Sequence, residues 1–267
     1  MIVIGELING TRKRVKQAIS DRDADYISGL AKRQTDAGAS FIDCNPGTIG
    51  NQEVSDIQWL VQTVQAVTEL PISFDTPHVE ALQAAFDVYT GAATPMINSI
   101  TAEQERLDAM LDFVAGSGAN VVALALSDAG MPSGCDDRVA AATALVDTLT
   151  GAGVDAGKIF VDPVITPLGT DGGTGCAVMA AVRELRAQRP GIHITCGLSN
   201  ISYGLPERRL LNRTFIALCI GAGMDSAIID PLDEQMMATI YAAEALAGCD
   251  EWCANYITAS RQNRLGN

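Results

Sequence analysis

Short apolar, β-favouring runs alternate with longer amphipathic segments from one end of this chain to the other, and this alternation restricts the fold more than any other feature. The runs cover 2–5, 40–43, 72–75, 95–98, 120–125, 159–162, 192–197 and 226–229. Segments with helical periodicity lie between them at 25–37, 54–68, 79–88, 103–116, 138–149, 176–188, 206–220 and 234–247, with a further helix near 251–261. Strands separated by helices form parallel sheets, because each crossover lays a helix on a sheet face. Eight such units in 267 residues match the size of a closed (β/α)8 barrel. The sequence therefore predicts an α/β TIM barrel, with 1–267 as one domain. An open doubly wound sheet would carry a glycine-rich phosphate turn after strand one. Gly5-Glu6-Leu7-Ile8-Asn9-Gly10 lacks the G-x-G-x-x-G spacing and puts a carboxylate where phosphate would sit.

Punctuation supports the count. Gly38 follows the first helical segment, and Gly151 and Gly153 close the fifth, where C-terminal glycines belong. Thr101 with Gln104 three places on reads as a capping box. Gly169-Thr-Asp-Gly-Gly-Thr-Gly175 is expected to be a mobile loop on the active face. No Lys-Ser/Thr pair follows it, so a phosphate cradle is the poorer reading.

Charge and cysteine usage narrow the function. A net charge of −14 argues against nucleic acid or an anionic membrane as partner. Small anionic ligands need only a local positive spot. No apolar run approaches the ~18 residues of a membrane span, and no leader is evident at Met1–Glu6. Seven cysteines are scattered, several among apolar neighbours, as Cys196 and Cys219 are. That pattern fits core thiols in a reducing, cytoplasmic setting. Cys249 and Cys253 have no second pair and no nearby His, which argues against zinc.

The strand ends carry the chemistry. They bear Glu6, Asp43 with Asn45, Asp75, Asn98, Ser127 with Asp128, Asp162, Ser199 with Asn200, and Asp230. The seventh run ends on Gly197-Leu198-Ser199-Asn200, which delivers small and amide groups to one point. A barrel brings all these ends to one mouth, where barrel active sites lie. No His and no Lys stands among them; His78 and His193 are read as structural. A Ser-His-Asp triad and Schiff-base chemistry are therefore disfavoured. A magnesium site built from carboxylates stays open. So does a grip on a donor-rich heterocycle. One carboxylate can accept the amine and the ring N–H of an aminopyrimidinone side by side, and amides can serve the remaining groups.

Gly5-Glu6-Leu7-Ile8-Asn9-Gly10, Asp43-Cys44-Asn45-Pro46-Gly47, Ser73-Phe74-Asp75, Met96-Ile97-Asn98-Ser99, Val161-Asp162-Pro163, Gly197-Leu198-Ser199-Asn200 and Leu211-Asn212-Arg213-Thr214-Phe215 follow one another in an order found in pterin-binding barrels. With these motifs, from about residue 1 to about residue 247, the chain resembles the methyltetrahydrofolate:corrinoid protein methyltransferases. The resemblance implies a pterin-binding TIM barrel, usually a homodimer. Its substrate would be methyltetrahydrofolate or tetrahydrofolate, and it would have no bound metal of its own. The methyl group would move between N5 of the pterin and the cobalt of a corrinoid (cobalamin) on a partner protein. No D-x-H-x-x-G cobalamin motif is present here. By resemblance, Asp75, Asn98 and Asp162 hold the pterin, and Asn200 reaches N5. Asp75, Asp162 and Asn200 are the catalytic set. Glu6, Asn45, Gly197 and Ser199 lie near the ligand, and Arg208 lies near its anionic tail.

Two neighbouring readings remain. Dihydropteroate synthase would carry a basic S-R-K-type ending where Asn200 stands, and a loop rich in Ser, Arg and Pro; the stretch Asn45-Pro46-Gly47-Thr48 has no Arg. A non-catalytic folate-binding barrel would bind the same ligand without transferring its methyl group.

Overall fold

The computed structural model describes residues 1–266. Eight strands, β1 (Ile2–Asn9), β2 (Phe41–Asn45), β3 (Ile72–Asp75), β4 (Met96–Ala102), β5 (Asn120–Ser127), β6 (Ile159–Asp162), β7 (His193–Ile194) and β8 (Ser226–Ile229), run in the order β7-β6-β5-β4-β3-β2-β1-β8. Every named pair is parallel, including β1 with β8. The ring closes between β7 and β8, where Ile228 N–H donates to the Cys196 carbonyl at 2.9 Å and Gly197 bridges to Ile228. The helices are α1 (Lys13–Ser20), α2 (Ala24–Asp36), α3 (Asn51–Gln65), α4 (Val79–Val88), α5 (Gln104–Ser117), α6 (Gly134–Gly151), α7 (Thr174–Gln188), α8 (Arg208–Ala222), α9 (Glu234–Leu246) and α10 (Ala254–Arg261).

A main core lies between strands and helices, and a second, smaller one fills the barrel. The inner core is Ile4, Phe41, Met96, Val122 and Phe160, one residue from each of five strands. Phe41 and Phe160 meet edge to face at 6.3 Å. Side chains on a strand repeat their facing every second residue. Two positions beyond four of these plugs stand Glu6, Asp43, Asn98 and Asp162. The apolar layer is thus roofed by a polar one at the mouth, and the change from one to the other is written in adjacent inward positions.

Four expectations are corrected. The strand expected at 192–197 is only two residues long, because Gly197 N–H turns to the Asp162 carboxylate at 3.2 Å and a 3-10 helix, Leu198–Ser202, follows. Asn200 therefore sits in that turn and does not end the strand. Strand β1 runs past Gly5 to Asn9, with a register shift against β2 between Gly5 and Ile8. The capping box fails: Thr101 lies inside β4 and its hydroxyl bonds Glu103, while the Gln104 N–H at the start of α5 is taken by Asp128 at 3.2 Å. The loop expected to be mobile, 169–175, is tied down. Asp171 accepts from Gly173 N–H, and Thr174 Oγ1 is bonded by Thr166 and by the fully buried Arg138.

Candidate active site

Asp75, Asn98, Asp162, Gly197 and Asn200 line one cleft of about 340 Å³ at the barrel mouth, together with Glu6, Asn9, Thr11, Arg12, Asp43 and Ile228. Each side chain reaches it for a local reason. Gly5 faces outward, where an added Cβ would lie 2.5 Å from the Gln34 amide oxygen, so Glu6 faces in. The β1 end is held against the β2 loop because Gly10 passes the Pro46 carbonyl too closely for any Cβ, which would stand 2.0 Å away.

Asp43 and Asp75 form the floor. Asp43 is 2% exposed, and its Oδ1 accepts from Ser73 Oγ at 2.6 Å and from Asn98 Nδ2 at 3.1 Å. Burial pushes the Asp43 carboxyl well above the usual carboxylate range, and the neighbouring Asp75 pushes the same way against those two donors. Burial also raises Asp75, with Asn45 and Asp43 pulling it back. Two buried carboxyls side by side resist ionising together, and the rise is the stronger at Asp43. Asn45 Nδ2 donates to Asp75 Oδ2 at 2.7 Å, while its own oxygen accepts Gly47 N–H at 2.7 Å. Asn45 thus orients Asp75 and is not among the residues lining the cleft.

Asp162 forms the wall under the β6–β7 seam. Its Oδ1 accepts Val164 N–H at 2.8 Å and its Oδ2 accepts Gly197 N–H at 3.2 Å. Burial raises this carboxyl to about 6 in spite of both bonds. Each carboxylate oxygen has a further lone pair, so both remain able to accept from a ligand. Asn98 has given its N–H2 to Asp43, which leaves its oxygen for the cleft. Asn200 is exposed at the rim, its Nδ2 lying 3.4 Å from where a Cβ on Gly197 would be.

A second groove, of about 480 Å³, adjoins the cleft and shares Glu6 and Arg12 with it. Ser199 and Arg208 belong to this groove and not to the cleft. Arg208 Nη2 donates to the Ser199 carbonyl at 2.8 Å and its Nε to Ser202 Oγ at 3.1 Å. Arg12 Nη2 pairs with Glu6 Oε1 at 2.9 Å. Burial raises the Glu6 carboxyl against the pull of Arg12 and Arg208, with Asp230 adding to the rise. Asp230 takes Leu232 N–H at 2.9 Å, and Ser127 and Asp128 lie outside both spaces.

Neither histidine lines the cleft or the groove. His193 stacks on Phe160 at 4.5 Å and bonds Asp225 at 2.8 Å, and His78 bonds Glu53 at 2.6 Å. Among the described residues no group of three or more His, Cys, Asp or Glu is arranged to hold a metal ion, and no helix is long and apolar enough to cross a membrane. Asn9, Thr11 and Arg12 were missing from the residues assigned by sequence. The signal was present, since Leu7-Ile8 continues the apolar run beyond Gly5.

The family of pterin binding enzymes matches residues 5–230. A methylcorrinoid:tetrahydrofolate methyltransferase of Eubacterium limosum is 35% identical over 268 residues, covering 100% of this chain and 98% of that protein. Methionine synthase of Mycobacterium leprae is 32% identical over 242 residues, covering 86% of this chain and 20% of that much longer protein. Among solved structures, dihydropteroate synthase of Xanthomonas albilineans with 4-aminobenzoic acid superposes with a TM-score of 0.70 at 22% identity, over 93% of this chain and 92% of the other. Dihydropteroate synthase of Coxiella burnetii with pteroic acid gives 0.69 at 17% identity, over 91% and 94%. At those identities the two structures show the shared barrel alone. The chain belongs to the pterin-binding enzymes, within the methyltetrahydrofolate:corrinoid protein methyltransferase family.

Proposed function

We propose that this enzyme moves a methyl group between N5 of tetrahydrofolate and a corrinoid carried by a separate protein. One observation carries the reading: Asp75, Asn98, Asp162 and Asn200, from four separate stretches of chain, converge on one cleft whose free groups are mostly acceptors. An aminopyrimidinone presents mostly donors, so the two match. Asp75 accepts the exocyclic amine and the adjacent ring N–H. The Asn45 amide holds Asp75 in place for that contact. Asn98 and Asp162 accept the remaining donors of the pterin ring. Gly197 leaves room for the ring, and Glu6 stands at its edge.

Asn200 is the residue we assign to N5. When the methyl group leaves folate, N5 keeps the electron pair of the broken C–N bond and takes a proton. An amide can donate to the developing lone pair, or accept from N5–H once it has formed. Such a bond is stronger at the transition state than in the ground state, which is the condition for acceleration. The corrinoid supplies the metal that exchanges the methyl group. Arg208, held by Ser199, faces the anionic end of the folate. We read 1–267 as one pterin-binding domain that works in the cytoplasm as a homodimer.

The test is absorbance of reduced cobalamin mixed with the enzyme and 5-methyltetrahydrofolate. The expected outcome is conversion to the methylated spectrum at a rate proportional to enzyme. Tight folate binding without any spectral change would leave a folate-binding barrel and refute the transfer reading.

A further inference from the structure

Glu53 is a buried carboxylate that lies outside both the cleft and the groove and yet acts on Asp75. It stands in the first turn of α3 and is 2% exposed. Its ion-pair partner is the exposed His78 ring, and no Lys or Arg pairs with it among the described residues. Burying a carboxylate is costly unless hydrogen bonds complete it. Here they form a closed ring. Glu53 Oε1 accepts the Thr76 hydroxyl, Oε2 is bonded by His78 Nδ1 at 2.6 Å, and the His78 N–H returns to Thr76 Oγ1 at 3.2 Å.

The ring is attached to the cleft through Thr76, which follows Asp75. The Thr76 N–H donates to the Asn98 carbonyl at 3.1 Å, so it ties the end of β3 to β4 where Asp75 and Asn98 are register partners. Arg106 adds to the tie by donating to the Pro77 and Ser99 carbonyls. The negative charge of Glu53 opposes ionisation of Asp75, in the same sense as burial. A carboxylate held against a like charge is more basic, and its oxygens accept hydrogen bonds more strongly. Asp56, one turn further along α3, is spent on Arg22 at 2.8 Å and on Thr48 and Gln52.

We propose that Glu53 is a positioning residue for the ligand: clamped by Thr76 and His78, it fixes the end of β3 and sets a negative charge behind Asp75 that strengthens the grip of Asp75 on the ligand's donors. The proposal rests on the pterin reading of the cleft. Asp75 is faced by Asp43 from β2, by Glu53 from α3, and within the cleft by Glu6, Arg12 and Asp162.

The experiment measures the dissociation constant of 5-methyltetrahydrofolate from pH 5 to pH 8, on variants shown to be folded by their thermal melts. Glu53→Gln removes the charge and keeps both bonds, since an amide accepts from Thr76 and donates to the other tautomer of His78. It should bind about three- to tenfold more weakly above pH 7. The ratio of variant to wild type should shrink toward pH 5, because Asp75 without its charged neighbour stays ionised to lower pH. A protonated His78 offsets the Glu53 charge and moves the ratio the same way, while Glu6, Asp43 and Asp162 titrate in both proteins. Thr76→Val, which opens the ring and leaves Glu53 in place, should weaken binding about threefold or more, and Thr76→Ser should restore it. A Glu53→Gln ratio at or below one, or one that is constant or rises toward acid, overturns the role of the charge and with it the proposal. Wild-type affinity in Thr76→Val overturns the clamp. Failure of the wild type to bind 5-methyltetrahydrofolate overturns the pterin reading itself.

Discussion

Replacing Asp162 by Asn tests the cleft most directly when measured against pH. The folded carboxyl titrates at about 6, against an ordinary value of 3.8, because burial disfavours its charge. Between about 4 and 6 the folded state therefore binds more protons than the unfolded one, and stability falls as pH rises through that window. The rise in pKa corresponds to roughly 3 kcal/mol that is present below about 4 and lost above about 6. The pterin, as proposed, needs the ionised form. At pH 5 only about a tenth of the molecules have it, against about half at pH 6, so ligand affinity should fall about fivefold over that unit and about tenfold for each unit below it. Release of the Asp162 proton on ligand binding below pH 6 is then measurable by calorimetry in buffers of different ionisation enthalpy.

The variant cannot titrate at this position. It also places an N–H2 against either Val164 N–H or Gly197 N–H, a pH-independent loss of about 2–4 kcal/mol. Glu6, Asp43 and Asp75 face the same cleft and titrate in both proteins. The ratio of dissociation constants, Asp162→Asn over wild type, isolates Asp162. It should climb about fivefold from pH 5 to pH 6, about tenfold from pH 5 to pH 7, and flatten above that. A ratio constant across that range, on variant protein that still melts cooperatively, would show that the ligand makes no use of the carboxylate.

Asn200→Ala should slow methyl transfer about 10²–10³-fold while weakening folate binding less, as loss of one transition-state hydrogen bond does; single-turnover absorbance with folate saturating gives the step, and a wild-type rate refutes the assignment. Arg138→Ala removes donors from the Val164 and Gly134 carbonyls and from Thr174 Oγ1, bonded at 3.1, 2.6 and 3.3 Å. Denaturant unfolding should report a loss of about 3–5 kcal/mol, and a loss under about 1 kcal/mol would contradict the bracing role. Light scattering at micromolar concentration should give twice the chain mass; a monomer there would remove the homodimer from the proposal.

The barrel was legible because its strands are apolar on both faces and separated by amphipathic segments of ordinary length. The polar mouth was legible for the same reason: Asp75, Asn98 and Asp162 each close an apolar run. Features set by side chains from elsewhere in the chain were not. Helix α1 has only Val15, Ala18 and Ile19 to mark it among charged neighbours, too short a pattern for periodicity to detect. The start of α5 is capped by Asp128 from the next strand's loop, which no local motif records. Asn45 carried the right chemistry in the wrong place, since its amide is spent on Asp75. Glu53 gave no signal, because its bonds to Thr76 and His78 arise only after folding.

The short β7 follows from the same division between ladder and site. A parallel strand that continued to Asn200 would pair its N–H groups with β6 carbonyls and aim alternate side chains at the barrel axis. Thr195 N–H still does so, bonding the Val161 carbonyl at 2.8 Å. Gly197 N–H instead takes Asp162, the last residue of β6, and the chain turns. One carboxylate therefore ends the ladder, closes the seam and fixes the residue from which the Asn200 turn departs. A ligand N–H that draws Asp162 into its ionised form strengthens the bond to Gly197, because a carboxylate accepts more strongly than a carboxylic acid. On the proposed reading, pterin binding at Asp162 and placement of Asn200 are linked through a single peptide N–H. A proline at position 197, which has no N–H, would break that link and leave Asp162 with the Val164 N–H alone.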